Sequence, residues 1–336
     1  MIQGLHAATF NEADMFVYAV GRIRVLEASL LARLPLERAV EAGSAERAWE
    51  VIRDASGWWS GRGGAGPQGW EPHLEARLAE SLQEVAFIGA GSPIASLFAI
   101  RWDFLRLKEK VREAVFGDAV EGGWPERITE EGGFLLSAET PLAYREALAR
   151  LSERVSRETL PQTVDRVLDA EMFRIVFRRL GENPVPFARQ YFVRRVDLLN
   201  LSVTLRGKLR AAERQEVQGW LMPGGSLPAS LFLEAWGGAL ASFAGPFERT
   251  VLETLVDDLV RQGDEGEVGR RLERRADDHL TEFLHAGKYV TFGPEPLVGY
   301  LHAIEMEVKN VRRIFTGLER GEAPDSILVD LRHPYV

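Results

Sequence analysis

The chain has 336 residues, 46% hydrophobic and 27% charged, the composition of an ordinary folded protein with about two domains' worth of length. Its 41 basic and 50 acidic side chains leave a formal charge of −9, which removes the general attraction to phosphate backbones on which nucleic-acid binders rely. There is no cysteine, so disulfides, thiolate metal sites, iron–sulfur clusters and cysteine nucleophiles are excluded together.

The opening MIQGLHAATFNEAD carries two carboxylates and no basic stretch followed by an apolar core, so no secretory signal is expected and the chain is expected to stay in the cytoplasm. From there apolar residues recur at spacings of three and four almost throughout, and alternation of period two is scarce, which predicts an all-α fold. Gly and Pro clusters break the helical stretches at Gly57 to Gly69, Gly122 to Pro125, Gly181 to Pro186, Met222 to Pro228, Gly263 to Gly269 and Gly293 to Pro296. Gly61-Arg-Gly63-Gly-Ala-Gly66 fits the spacing of a dinucleotide turn. It follows Trp58-Trp59-Ser60 and precedes Pro67, with no strand before it or helix start after it, and reads as a loop. Gly89-Ala-Gly91 fails for a different reason, since Ile94 stands at the third glycine position, and no phosphate-cradling GxxxxGK[ST] occurs, so no nucleotide binding is expected. The longest uncharged runs, Val85 to Ile100 and Val217 to Leu233, are interrupted by Gly and Pro and fall short of the roughly 20 apolar residues of a membrane-spanning helix.

Late in the chain, Leu297, Leu301, Ile304, Val308, Val311 and Phe315 form a helical stripe. A shift of 110 places superposes it on Phe187, Tyr191, Arg194, Leu198, Leu201 and Leu205, and a further 94 on Pro93, Leu97, Ile100, Phe104, Leu107 and Val111. Any two amphipathic helices slide into such register, so the stripe alone proves little. The polar residues in register carry more weight: Asp103, Asp197 and Glu307 align, Asn200 aligns with Asn310, and Pro186 with Pro296, with Arg106 replacing the Asn in the first copy. Asp197 with Asn200, and Glu307 with Asn310, share a helical face, where side chains three apart interact for about 0.2–0.5 kcal/mol. Three helical units are predicted, at approximately 1–118, 119–213 and 214–336.

The nearest approach to a metal site is Asp277-Asp278-His279 with Glu282 and His285. Glu282-x-x-His285 lacks the second such pair a di-iron centre needs, so a solvated helix face is expected, with no metal and no cofactor. His302 lies beside the last stripe and reads as a helix-flank residue. An alternative enzyme class is a class I terpene synthase, whose magnesium ions need carboxylates at helical spacing. Asp257-Asp258 and Asp277-Asp278 are its starting points, but Arg261 and Thr281 stand where a further acid belongs. A helical-repeat scaffold unconnected with ion transport is the other alternative.

The segment Phe292 to Thr316, FGPEPLVGYLHAIEMEVKNVRRIFT, resembles the C-terminal helix of the C subunit of the V/A-type rotary ATPases, called the d subunit in eukaryotes. The family pattern FG-x-EP-L-x-x-YL-x-x-x-E-x-E-x-KN-[LV]-R is met by Phe292, Gly293, Glu295, Pro296, Leu297, Tyr300, Leu301, Glu305, Glu307, Lys309, Asn310, Val311 and Arg312. Near the start, Phe16, Tyr18, Arg22, Ile23, Arg24, Leu30 and Leu31 resemble the family's Y-x-x-x-R-[IV]-R and its leucine pair. Asp197-Leu-Leu-Asn-Leu201 with Lys208, and Met222-Pro-Gly-Gly225, are similar to its middle helix and the loop opening its third unit.

The resemblance implies a three-fold pseudosymmetric, funnel-shaped, all-helical protein without enzymatic activity. It further implies a central-stalk adaptor, one copy within a hetero-oligomeric complex, that binds the central-axle subunits and the membrane proteolipid ring. Such an adaptor is peripheral on the inner face of the cell membrane and couples ATP hydrolysis or synthesis to translocation of H⁺ or Na⁺. Tyr18, Arg22, Arg24, Asp197, Asn200, Pro296, Tyr300, Glu305, Glu307, Asn310 and Arg312 are the signature residues it marks as structural or interfacial.

Overall fold

The computed structural model describes residues 16–60, 69–89, 91–117, 123–132, 134–135, 140–154, 161–261 and 265–336. The glycine motif at 61–66 and the expected boundary between 118 and 119 lie outside the described residues. Within them every regular element is helical and none is a strand, in keeping with the 3.6-residue period. In chain order they are α1 (Val17–Glu27), α2 (Arg33–Glu41), α3 (Ala45–Ala55), α4 (Gly57–Ser60), α5 (Trp70–Ile88), α6 (Ile94–Phe116), α7 (Trp124–Glu131) and α8 (Thr140–Ser152). There follow α9 (Pro161–Glu182), α10 (Pro186–Leu209), α11 (Arg214–Trp220), α12 (Ala229–Gly237), α13 (Glu253–Arg261), α14 (Glu265–His285), α15 (Glu295–Glu319) and α16 (Pro324–Asp330).

The chain separates into two compact units. One takes the described residues of Met1–Glu84, Ile88–Ala90 and Pro186–Val336, the other those of Val85–Phe87 and Gly91–Val185.

The axis of the first unit is α15, which packs against α1, α2, α3, α10, α14 and α16. Every residue from Glu295 to Val308 is buried, although the sequence stripe supplies only one apolar face. The remaining faces close because their residues are small, as at Gly299 and Ala303, or polar with a partner, as at His302, Glu305 and Glu307. Around its C-terminal half sits an aromatic cluster: the Trp70 ring stacks on Phe315 at 5.6 Å, Trp49 meets Phe315 edge-on at 6.0 Å, and Trp49 meets Trp59 at 5.8 Å. Aromatic side chains bury about 150–250 Å² each, so this cluster anchors α3 and α5 on a helix more than 200 positions later. It also gives the described part of the tryptophan-rich stretch a place: Trp59 and Trp70 are core residues.

A second regularity spans the later half of the unit at the 110-residue offset. After α10, the Ala212 N–H bonds the Gly207 carbonyl at 2.9 Å and Ala211 bonds Lys208 at 3.0 Å; after α15, Glu322 bonds Gly317 at 2.9 Å and Gly321 bonds Leu318 at 3.1 Å. Both are Schellman closures, with the left-handed position at Ala211 (φ 50°) in one and Gly321 (φ 67°) in the other. Gly207 and Gly317 then let a short helix cross closely: a Cβ on either would lie 2.7 Å from Val217 and Ile327 respectively, themselves 110 apart.

In the second unit α6 packs along α9, with α7 and α8 alongside. Phe104, Leu107, Val111, Leu148, Leu168 and Val176 are all buried there, and Tyr144 meets Phe104 edge-on at 5.2 Å.

Since alanine is held in the left-handed region at 211, Ala211→Gly should raise stability by roughly 0.5–1 kcal/mol, the relieved strain exceeding the entropy glycine adds to the unfolded chain. Gly321→Ala should lower it by a similar amount, both read from urea midpoints at unchanged m.

Candidate functional site

The three carboxylates aligned in the sequence are all buried, and each accepts the backbone N–H of a leucine close before a helix. In the second unit Asp103 on α6 takes the Leu135 N–H at 2.7 Å and the Tyr144 hydroxyl at 2.8 Å. In the first unit Asp197 on α10 takes the Leu227 and Ser226 N–H groups at 3.1 Å and the Ser226 hydroxyl at 2.6 Å. Glu307 on α15 takes the Leu31 N–H at 2.7 Å, together with Arg77 Nε at 2.9 Å and Trp59 Nε1 at 3.2 Å. Burial raises the Asp197 carboxyl above its ordinary value, against the lowering effect of its three donors. Gly225 is required beside it, because a Cβ there would collide with the carboxylate.

The asparagines act as brackets. Asn200 accepts from the Met222 N–H at 2.7 Å and donates to the Met222 carbonyl at 2.9 Å; Asn310 does the same to Arg332 at 2.8 and 3.0 Å. Each bracket reaches 22 residues ahead. The sequence suggested bonding within the Asp–Asn and Glu–Asn pairs; the side chains instead each secure a separate loop, because buried backbone groups beyond a helix end need partners.

Asp277 and Asp278 are not on a solvated face. Asp277 is buried against Lys309 Nζ at 2.9 Å and Arg332 Nε at 3.1 Å, and Lys309 also pairs with Glu305 at 3.2 Å. Burial would raise the Asp277 carboxyl, but the Lys309 and Arg332 cations overcome it and hold it below its usual value. Asp278 accepts the His333 N–H at 2.7 Å and pairs with Arg274 at 3.2 Å. Lys309 and Arg332, the cations that neutralise Asp277, lie 32 and 55 residues away in the chain, which local spacing does not reveal.

His302 is likewise no flank residue. It is fully buried, with Nδ1 at 3.1 Å from the Tyr191 hydroxyl and Nε2 at 3.0 Å from Thr281 Oγ1. Arg195 donates to Tyr191 at 2.7 Å, and Thr281 donates to the Asp277 carbonyl at 3.1 Å. With the ring neutral, Tyr191 giving its proton to Nδ1 and Nε2–H giving to Thr281 satisfies all three groups. Burial drives the ring's pKa down to about 3.

Among the remaining signature residues, Pro296 lies buried in the first turn of α15, and the buried Tyr300 hydroxyl bonds Ser81. Arg24 donates to the Lys288 and Val290 carbonyls and pairs with Glu27, while Arg22 pairs with Glu84 at 2.6 Å near the surface. Tyr18 is 68% exposed. Arg312 is exposed and has no partner among the described residues. The sequence missed Arg77, 2% exposed, whose guanidinium lies over Trp58 at 4.7 Å and meets Glu307 230 residues on.

Asp103, Asp197, Asn200, Glu307 and Asn310 thus all use their polar atoms on backbone groups of loops beside the helices. The model of the ATP synthase (C/AC39) subunit family matches residues 19–328, and the chain belongs to that family, a non-catalytic part of V/A-type rotary ATPases. It is similar to the C subunit of the V-type sodium ATPase of Enterococcus hirae, 24% identical over 279 residues, 80% of this chain and 84% of the relative. It is also similar to the C subunit of the A-type ATP synthase of Methanothermobacter thermautotrophicus, 23% identical over 289 residues, 78% and 74% of the two chains. No helix among the described residues is long and apolar enough to cross a membrane.

Arg77→Met strands a buried carboxylate and should cost about 3–5 kcal/mol in urea unfolding. Arg206→Met, breaking an exposed pair with Glu273, should cost less than about 1 kcal/mol. The unfolded chain protonates His302 near 6.5 and the folded chain not until about 3, so acid favours unfolding. Its contribution is complete above pH 6.5 and is lost as pH falls toward 3; His279, lowered by burial to about 4, acts in the same direction. His302→Gln should flatten stability against pH across this window, measured by urea unfolding at pH 4 to 7.

Proposed function

We propose that the chain is the rotor adaptor of a V/A-type ATPase, joining the central-axle subunits to the proteolipid ring on the cytoplasmic side and carrying torque between the ATP-driven head and the ring that moves H⁺ or Na⁺. In this reading it is peripheral to the membrane and works as one copy in the complex, without a cofactor. The observation that carries it is the use made of the signature residues. Asp197, Asn200, Glu305, Glu307 and Asn310 are buried, with Asp197, Asn200, Glu307 and Asn310 locking loops and Glu305 paired with Lys309. A torque coupler needs such stiffness, since close-packed interiors transmit strain. The names of the two relatives support the complex, and the all-helical fold supports a coupler.

Three helical units, at about 1–118, 119–213 and 214–336 in approximate three-fold order as a funnel, belong to the same proposal. The shared carboxylate-to-leucine contact of Asp103, Asp197 and Glu307 favours them. Tyr18 and Arg312, left at the surface, are proposed to face partners, and Arg22 beside Tyr18 with them.

Reconstitution into sealed vesicles tests the role. Without this chain the head should keep hydrolysing ATP while ion pumping falls to background, because axle and ring lose the roughly 1,200 Å² or more that a stable interface buries. Pumping that persists without it refutes the assignment.

A further inference from the structure

Residues 331–336 follow α16 without helical or strand structure, yet they are held as closely as a bound ligand. Asn310 takes both main-chain groups of Arg332, and Asp277 takes its side chain. Asp278 accepts the His333 N–H at 2.7 Å, and Lys288 Nζ donates to the Tyr335 carbonyl at 3.3 Å. The Tyr335 ring is 3% exposed, 5.4 Å from the His285 ring and 5.2 Å from Lys288 Nζ. It enters a notch made by Gly299: a Cβ there would stand 2.6 Å from the tyrosine oxygen and 3.0 Å from Cζ.

The repeat does not need most of this. In the earlier copy the bracket on Met222 and the Asp197 contacts with Ser226 and Leu227 hold the loop, and the positions matching Gly299 and Tyr335 are Arg189 and Gly225, so neither notch nor ring exists there. Asp278, Lys288 and Gly299 are thus an addition around one extended segment. Main-chain groups read by side chains, plus one aromatic anchor in a fitted recess, is how extended peptides are recognised.

We propose that the groove formed by α14, α15 and the turn at Ala286–Tyr289 is a peptide-binding site for an extended Arg-His-Pro-Tyr segment, which the chain fills in cis with residues 332–335. Its ligand class is a short peptide with a basic residue at the Asp277 end and a tyrosine three places later. A cis segment acts at millimolar effective concentration, so the site is occupied unless the anchor is removed.

The probe is a capped synthetic peptide of residues 331–336 bearing a fluorophore, titrated into the full chain. Tyr335→Ala should expose a saturable site that binds it at least tenfold more tightly than the wild-type chain does. Adding Gly299→Ala, which favours the helix but fills the notch, should abolish that binding. A Tyr335→Ala chain with native circular dichroism and no saturable binding overturns the proposal, as does binding that Gly299→Ala leaves unchanged. Should Tyr335→Ala fail to fold, hydrogen exchange decides. In the otherwise wild-type chain Gly299→Ala should release protection at Arg332 and His333 together while Met222 stays protected, and retained protection at both overturns it.

Discussion

A carboxylate inside a helical bundle is tolerated only where donors are fixed in place to meet it, and this constraint organises the molecule. Burying a charged or polar group without partners costs several kcal/mol, comparable to the whole stability of a domain. Asp103, Asp197 and Glu307 therefore dictate where the following or distant loop must lie, since each demands a backbone N–H. Glu307 has the most demanding set. Its donors at Leu31, Trp59 and Arg77 bind three parts of the N-terminal segment to α15, and the tryptophan cluster fills the space around them.

The same logic explains why asparagine recurs at 200 and 310. An amide offers a donor and an acceptor on one planar group and so satisfies both main-chain groups of a single residue, which an ionised Asp, an acceptor only, cannot do. Wherever the chain turns back along a long helix past a Schellman closure, one such residue fixes the register of the return. The adjoining Arg195, Lys309 and Arg332 cations around Glu305 and Asp277 then neutralise acids contributed by separate elements, so that α10, α14 and α15 resist sliding as a unit.

Much of this was legible in the amino-acid sequence, because it repeats at a constant offset. The all-helical class followed from the period of the apolar residues, and Asp197, Asn200, Glu307 and Asn310 from the shift of 110. What was not legible depends on contacts with no local period. Arg77 and Trp59 reach Glu307 across 230 and 248 residues. His302 looked peripheral because a stripe marks one face, whereas α15 is surrounded and its off-stripe histidine is enclosed by Tyr191 and Thr281 from other helices. Asp277 and Asp278 looked solvated because Lys309, Arg332 and the His333 amide lie in later segments.

The long separation between Arg77 and Glu307 has a bearing on how the protein is made. At ribosomal rates of about 5–20 residues per second, the 230 residues between them take roughly 10–50 s to synthesise. Throughout that interval α3, α4 and α5 have emerged without the helix that covers Trp49, Trp59 and Trp70. The nascent N-terminal segment is thus an apolar, aromatic surface awaiting its complement, the kind of chain on which holding chaperones act, and residues Gly91–Val185 reach full length before it can be completed.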